Sequence, residues 1–325
     1  MCTAILTKNY AGRTLDVDRK YGECIIITPR NYEFNFKRLD SIKTHFAIIG
    51  MGVINQNYPL YFDGANERGL YIAGLNYVDN AKYLPISRDK TNLAPYELIP
   101  YILSKCSTVA EAKKELRLVN LINVPFATDM PTAELHFFIA DKSGSIIAEP
   151  DDDGLKIYEN PVGVLTNNPP FPIQLFNLNN FMNLSNKAPV NCFSKKITLK
   201  AYSFGMGAMG LPGDLSSMSR FVKASFHRAN LNEQGTLSEI MHLLSLVSMP
   251  DGSVKTDHGF ERTEYTSSID LSRLIYNYRT YDSPNTYAIK MSYEDLESDN
   301  LIYYNLKKEK EPLLCNSPQS YYKIK

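Results

Sequence analysis

A cysteine directly behind the initiator position is the first residue in this chain that could do chemistry. The sequence opens Met1-Cys2-Thr3-Ala4, and a small residue after Met permits removal of that Met. The mature chain would then carry a thiol and a free α-amine on one residue, Cys2. The amine has an unperturbed pKa of about 7.7–8.0 and the thiol about 8.5, so a proton moves between them near neutrality at little cost. A nucleophile paired with an N-terminal amine is one established activation scheme. The plain alternative is a chain that begins Met-Cys and carries an inert thiol.

Other groupings are weaker. Gly205-Met206-Gly207-Ala208-Met209-Gly210 matches a dinucleotide fingerprint as a string, but that motif needs a strand before it and a helix after it. Leu211-Pro212-Gly213 follows instead and would break the helix, so a loop is expected. Glu149-Pro150-Asp151-Asp152-Asp153-Gly154 faintly resembles a calcium loop, yet its twelfth position is Asn160, and Glu159 comes one residue early. An acidic hairpin turn is the better reading. The five histidines (His45, His136, His227, His242 and His258) have no short metal-ligand spacing. Any of them could serve a papain-type cysteine from afar, but His136 in a strand and His227 on a helix read more simply as structural. No metal and no cofactor are expected.

Around these residues lies an ordinary globular composition. The chain has 325 residues, 44% hydrophobic and 22% charged, enough to bury a substantial core. Lys and Arg together number 35, as do Asp and Glu, so no global field favours nucleic acid or an anionic membrane. No apolar run approaches membrane-spanning length, and no basic leader with a cleavage site is seen. Five scattered cysteines (Cys2, Cys24, Cys106, Cys192 and Cys315) argue for reduced thiols in a cytoplasmic protein.

The elements that must position Cys2 follow from period and punctuation. Strands are expected at Thr3 to Leu6, Tyr10 to Leu15, Glu23 to Thr28, His45 to Gly50 and Leu70 to Leu75. Helices follow at Pro95 to Lys105 and Val109 to Leu118, the second opened by a Thr108/Glu111 capping box. Strands return at Leu135 to Ala140, Ser145 to Ala148 and Leu155 to Tyr158. A short helix is expected between Asn167 and Asn186, with longer ones at Ser217 to Ala229 and Leu237 to Val247. Strands at Glu264 to Ile269, Leu274 to Arg279 and Thr286 to Met291 come last, before a solvated tail at Lys307 to Glu311. The order reads as one α+β domain over residues 1–325, with sheets packed between helices.

Several stretches, in order along nearly the whole chain, resemble the choloylglycine hydrolases. They are Met1-Cys2-Thr3-Ala4-Ile5, Gly12-Arg13-Thr14-Leu15-Asp16, Thr28-Pro29-Arg30-Asn31-Tyr32, Tyr58-Pro59-Leu60-Tyr61 and Gly74-Leu75-Asn76. Asn160 to Pro169, Gly210 to Asp214, Ser219-Arg220-Phe221 and Arg279 to Asp282 continue the series. The resemblance implies the αββα sandwich of the N-terminal nucleophile hydrolases, loss of Met1, a homotetramer, and hydrolysis of glycine- or taurine-conjugated bile salts. Penicillin V acylase is the alternative on the same site, and a non-catalytic lipid-binding relative is a third reading.

By that resemblance Cys2 is the nucleophile and its amine the base. Asp16 would hold the amine and Arg13 would stand beside the thiol. The side-chain amide of Asn167 and the backbone N–H of Asn76 would form the oxyanion hole, and Arg220 is the remaining active-site arginine. Substrate-contacting positions would be Leu15, Ile54, Phe62, Phe126, Met130 and Leu135, an apolar lining that suits a steroid. Asn at position 76 is typical of the bile-salt-active members.

The residues read alone leave alternatives. Arg13 and Asp16 are three apart and face opposite sides of a regular strand, so both address Cys2 only if the strand bends or ends near Leu15. Otherwise they are surface charges. Asn167 could be an ordinary turn residue, and Arg220 shares a helical face with Lys223 and His227 that reads as solvated.

Overall fold

The opening hairpin closes as its residues dictate. Thr7 N–H and Thr7 Oγ1 both donate to the Tyr10 carbonyl, at 2.8 and 3.3 Å, across the Lys8-Asn9 turn. A computed structural model describes residues 1–313, so Cys315 lies outside the described residues. The strands begin with β1 (Cys2–Leu6), β2 (Tyr10–Val17), β3 (Cys24–Thr28), β4 (Ile48–Asn55), β5 (Tyr58–Asn66) and β6 (Tyr71–Asn76). Next come β7 (Thr91–Leu93), β8 (Val119–Leu121), β9 (Leu135–Asp141), β10 (Gly144–Asp151), β11 (Gly154–Glu159) and β12 (Val164–Leu165). The last are β13 (Val254–Lys255), β14 (Phe260–Asp270), β15 (Ile275–Thr280), β16 (Tyr287–Lys290) and β17 (Ile302–Asn305). The helices are α1 (Leu98–Lys105), α2 (Val109–Leu116), α3 (Phe171–Asn177), α4 (Ser217–Ala229) and α5 (Leu237–Ser245).

One sheet has the order β12-β1-β2-β14-β15-β16, with β13 on β14, and the other β11-β10-β9-β6-β5-β4-β3-β17. Helices α1 and α2 cover the eight-stranded sheet, while α4 and α5 cover the seven-stranded one. The layers are therefore helix, sheet, sheet, helix: the αββα arrangement. Strand alternation explains why both sheets read as apolar. Ile25 and Ile27 pack between the sheets, and Ile26 packs under α1 and α2. A strand covered on both faces needs hydrophobic residues at every position. Each such isoleucine contributes roughly 1.5–3 kcal/mol through burial.

The sequence-based element limits need several corrections. β5 was not expected, because Pro59 and Gly64 interrupt its pattern. Proline is tolerated there because β5 pairs with β6 only over Asp63 to Ala65, which leaves its first half unpaired on that side. β17, β12, β13 and the short parallel pair of β7 and β8 were also not expected, being too short or too polar to show a period. The helix expected from Pro95 starts as a 3₁₀ turn, Pro95–Glu97, and becomes α-helical at Leu98. β4 starts three residues later than expected and runs to Asn55. At α2, Thr108 Oγ1 accepts from Glu111 N–H at 3.2 Å, but the Glu111 carboxylate takes Ser107 N–H, so the reciprocal box is not closed. Thr236 and Glu239 close such a box on α5.

The Gly205 segment is a short turn, Met206–Ala208, with no strand before it. The acidic run forms the β10–β11 hairpin, with Asp151 paired to Gly154. Lys307 to Glu311 is exposed.

Gly12 tests the packing between β2 and β14. A methyl group there would lie 2.2 Å from the Ser267 carbonyl oxygen and 2.9 Å from Ser268 Cα, both backbone atoms of β14. Gly12→Ala should therefore destabilise the protein by about 1–3 kcal/mol or more, as overpacking does. Denaturant unfolding of the two proteins measures this, and an unchanged midpoint would contradict the close approach.

Candidate active site

β1 pairs with β2 so that Cys2 faces Leu15 and Ala4 faces Arg13. Arg13 is fully buried and projects between the two sheets. Its Nη2 donates to Cys2 Sγ at 2.6 Å. Its Nη1 donates to two carbonyls of the other sheet, Phe62 at 3.1 Å and Gly74 at 2.7 Å, and its Nε donates to Thr14 O. These two carbonyls have a topological origin. β5 and β6 pair only as far as Asp63 and Ala73. One residue beyond, on each strand, lie Phe62 and Gly74, whose carbonyls face a gap where the ladder has forked. The guanidinium fills that fork. Burial alone would lower the Arg13 pKa, but the charges of Cys2, Tyr265 and Asp63 more than offset it and hold it above the ordinary arginine value.

Asp16 lies on the opposite face of β2, as period 2 requires. Its carboxylate is completely buried, accepting from Thr263 Oγ1 at 2.6 Å and Thr14 Oγ1 at 3.0 Å, with Arg220 Nη1 at 3.9 Å. β2 does not end at Leu15. The irregularity is instead in β14, where an extra residue is inserted between Thr263 and Tyr265 opposite Asp16 and Leu15. Arg13 and Asp16 thus approach the start of β1 from opposite faces of β2. Asp16 N–H donates to the Met1 carbonyl at 2.8 Å, and the Met1 amine donates to Asp16 O and to Glu261 Oε1.

Arg220 is not on a solvated face. It is fully buried beside Phe221 and Ala224, because four acceptors wait for it. Its Nη1 donates to Cys2 O at 2.7 Å and Thr3 Oγ1 at 2.5 Å, its Nη2 to Asn167 Oδ1 at 2.8 Å, and its Nε to Leu215 O at 2.9 Å. Burial pulls its pKa down from the arginine value, against the charges of Asp16 and Cys2.

Asn167 is buried and bonded on every side. Its Oδ1 accepts from Cys2 N–H at 2.8 Å as well as from Arg220, which fixes the amide orientation. Its Nδ2 donates to Asn76 O at 2.8 Å and keeps one further N–H. Ser217 Oγ accepts from Asn167 N–H, and Gln174 Nε2 donates to Asn167 O. Behind it, His136 bridges Glu149 Oε1 and Thr166 O, each at 2.9 Å, and stacks on Tyr77. Glu149 also takes Phe171 N–H. Tyr77 N–H donates to Glu134 O on the β9 side, so by alternation Asn76 N–H points the other way, into the fork with Gly74 O.

Five of the six apolar positions, Ile54, Phe62, Phe126, Met130 and Leu135, are half-buried, and Leu15 is buried. Leu15 pairs with Cys2, Leu135 with Asn76, and Phe62 offers Arg13 its carbonyl. Met130 Sδ accepts from Asn55 Nδ2, beside Ile54. The Phe126 ring is held by Tyr58 and Tyr96 at 5.8 and 5.3 Å, so packing accounts for part of it. Sequence reasoning missed Asp63, Tyr265, Ser267 and Tyr276, which cluster behind Arg13. The available signal was one charged residue inside the apolar run Leu60-Tyr61-Phe62-Asp63-Gly64-Ala65. Among the described residues no group of three metal-ligating side chains is present.

A buried thiol touched by a guanidinium, beside free N–H donors, is equipped for nucleophilic attack on a carbonyl. Comparison with known proteins agrees with that chemistry. Residues 2–304 match the model of the linear amide C–N hydrolases, choloylglycine hydrolase family. The chain is 46% identical to a bile salt hydrolase/transferase of Lactiplantibacillus plantarum, over 97% of this chain and 100% of that protein. A crystal structure of a variant of the conjugated bile acid hydrolase from Clostridium perfringens superposes with TM-score 0.91 at 32% identity, covering 97% of this chain and all of that one. The penicillin V acylase from Agrobacterium tumefaciens shares the fold, with TM-score 0.72 at 22% identity over 95% of this chain and 92% of that one.

The thiols separate by environment. Burial pushes Cys24 up to about 11, with Glu23 adding to it, and Cys106 up to about 12, with Glu115 and Glu111 adding to it. Both are therefore protonated and unreactive near pH 7.5 in the folded protein. Iodoacetamide at that pH should leave Cys24 and Cys106 unmodified while labelling the exposed Cys192. Peptide mass spectrometry reads this, and equal labelling of Cys24 or Cys106 would contradict the burial.

Proposed function

The chain belongs to the choloylglycine hydrolase family of linear amide C–N hydrolases, and from that premise we propose that it cleaves the amide bond between a bile acid and glycine or taurine. The observation that carries this reading is the full-length similarity to a bile salt hydrolase/transferase. Cys2, freed of Met1, supplies the thiolate. Its α-amine takes the thiol proton and later gives it to the departing glycine or taurine nitrogen. Arg13 stands against Sγ, its guanidinium donating to the sulfur that attacks. Asp16 holds the amine, and the register supports this role: Asp16 pairs with Met1, the residue whose loss creates the amine.

The remaining N–H of Asn167 Nδ2 and the N–H of Asn76 receive the oxyanion as the tetrahedral intermediate forms. One such donor is worth about 10²–10³ in kcat. Arg220 holds the Cys2 carbonyl and Asn167 Oδ1, so that nucleophile and oxyanion donor keep one geometry. Water then attacks the acyl-thioester and releases the bile acid. An amine taking the place of water would complete an acyl transfer, which fits the second half of the relative's name. Leu15, Ile54, Phe62, Phe126, Met130 and Leu135 form the apolar wall for the steroid.

A cytoplasmic homotetramer belongs to the same reading. Free Cys2, Cys24, Cys106 and Cys192 support a reducing compartment. The exposed apolar side chains Met182, Phe193, Tyr202 and Phe204 support assembly. Among the described residues no helix is long and apolar enough to cross a membrane.

A penicillin V acylase of Pectobacterium atrosepticum is 26% identical over 76% of this chain and 62% of that protein, which keeps a second substrate in view. Conjugated bile salts should exceed penicillin V in kcat/KM by at least about tenfold, roughly 1.4 kcal/mol of differential transition-state binding. Parallel assays on glycodeoxycholate, taurocholate and penicillin V measure it. A reversed ratio would favour the acylase.

The amine gives a sharper test. A non-removable two-residue extension ahead of Cys2 should abolish hydrolysis, whereas an equal extension after Lys325 should be tolerated. The first converts the base to an amide that cannot accept a proton near neutral pH, and it removes the ammonium that Asp16 would hold, leaving Arg220 as the cation beside that carboxylate. Intact mass confirms the extension. Full turnover with the N-terminal extension in place would refute the amine as base.

A further inference from the structure

Besides Asn167, two buried charged side chains cross between the sheets beside Cys2, and the mechanism above uses only one of them. Arg13 is rooted in the seven-stranded sheet and donates to Phe62 O and Gly74 O of the eight-stranded sheet. Asp63 makes the reverse crossing. It is rooted in β5 of the eight-stranded sheet and completely buried, and its partners all come from the other sheet. Tyr276 Oη donates to Oδ1 at 2.6 Å, and Tyr265 Oη to Oδ2 at 2.8 Å, while Ser267 Oγ lies 3.4 Å from both oxygens. The two crossings share one patch: Phe62 precedes Asp63, and Ser267 is the register partner of Arg13. Asp63 also ends the β5–β6 ladder, at the fork that the guanidinium fills.

We propose that Asp63 is a positioning residue for the nucleophile: with Tyr265 and Tyr276 it sets the sheet spacing at which Phe62 O and Gly74 O hold the Arg13 guanidinium against Cys2 Sγ, and its carboxylate balances that buried charge. This rests on the roles given above to Cys2 and Arg13. The cluster has the right chemistry for such a tie. Burial, then the charge of Asp63, keeps the Tyr265 and Tyr276 phenols well above their ordinary values, so both remain donors. Burial pushes the Asp63 carboxyl up, and the Arg13 charge and the three hydroxyls oppose that push. The Asp63 and Arg13 charges stabilise one another from opposite sheets, and a buried charge left without its counter-charge is strongly destabilising. Arg13 and Cys2 share the seven-stranded sheet, so the spacing acts through Phe62 O and Gly74 O: a shift of the order of an ångström in those carbonyls would draw the guanidinium from the thiol, enough to cost about 10²-fold in rate.

Asp63→Asn in the full-length enzyme keeps the volume and removes the charge. Its kcat on taurocholate should fall at least about tenfold with KM within about twofold, and alkylation of Cys2 by iodoacetamide should slow in parallel. A purely structural Asp63 would lower the melting temperature but leave kcat per folded site and Cys2 alkylation at wild-type values, which would overturn the proposal. If Asp63→Asn does not fold, Tyr276→Phe decides, since it removes one hydroxyl and keeps the ring. A several-fold loss of kcat at constant KM is expected, and unchanged kcat overturns the tie. The charge balance has its own sign test. Asp63→Asn should lower the melting temperature of the wild type but raise that of Arg13→Met, where Asp63 is left unpaired. Shifts of the same sign in both backgrounds would overturn the balance. Cys2→Ser separates the two readings. If it retains turnover, the site assignment fails and this inference with it. If it is inert while Asp63→Asn is unimpaired, only the inference fails.

Discussion

Arg13 carries a positive charge into the space between two β-sheets, and the rest of the site is arranged around satisfying it. A buried guanidinium has five N–H donors and no access to water, so every nearby acceptor matters. The sheet opposite supplies two of them by forking. β5 and β6 stop pairing after Asp63 and Ala73, and the carbonyls of Phe62 and Gly74, which a continued ladder would have consumed, turn to Arg13. The thiol of Cys2 accepts from Nη2. A local failure of sheet pairing thereby becomes the seat of the Cys2 thiol, and the same fork leaves Asn76 N–H facing it.

The helix side holds the other end of Cys2. Arg220 reaches from α4 through the seven-stranded sheet to the Cys2 carbonyl, Thr3 and Asn167. Asn167 in turn binds Cys2 N–H and Asn76 O, linking the two sheets at a second point. Its loop is anchored by the buried His136–Glu149 pair, which takes Thr166 O and Phe171 N–H. Cys2 is thus held at its nitrogen, its carbonyl and its sulfur by three different side chains, which leaves that residue little conformational freedom.

Much of this architecture was legible in the order of residues, for a local reason. Period 2 and period 3.6 are properties of neighbouring positions, so the strands around Cys2, α4 and the β10–β11 hairpin could be read from the sequence nearly to their ends. The same rule placed Arg13 and Asp16 on opposite faces of β2, and they do lie there. β5 escaped because Pro59 and Gly64 disrupt the period, although half of that strand has no partner on one side and tolerates both. Arg220 was misread as solvated because its helical neighbours Lys223 and His227 are polar, whereas the helix turns it inward to acceptors that no local window contains.

The sequence by itself determined which groups could react: a thiol one residue behind the initiator, two arginines, a carboxylate and two asparagines, in an order that resembles one hydrolase family. Only the tertiary structure decided which of them meet. Asn167 and Arg220 reach Cys2 across 165 and 218 residues of chain, and Tyr276 reaches Asp63 across 213. Such contacts follow from sheet order, register and the place where a ladder ends. Those are set by the packing of whole layers, and no run of neighbouring residues encodes them on its own.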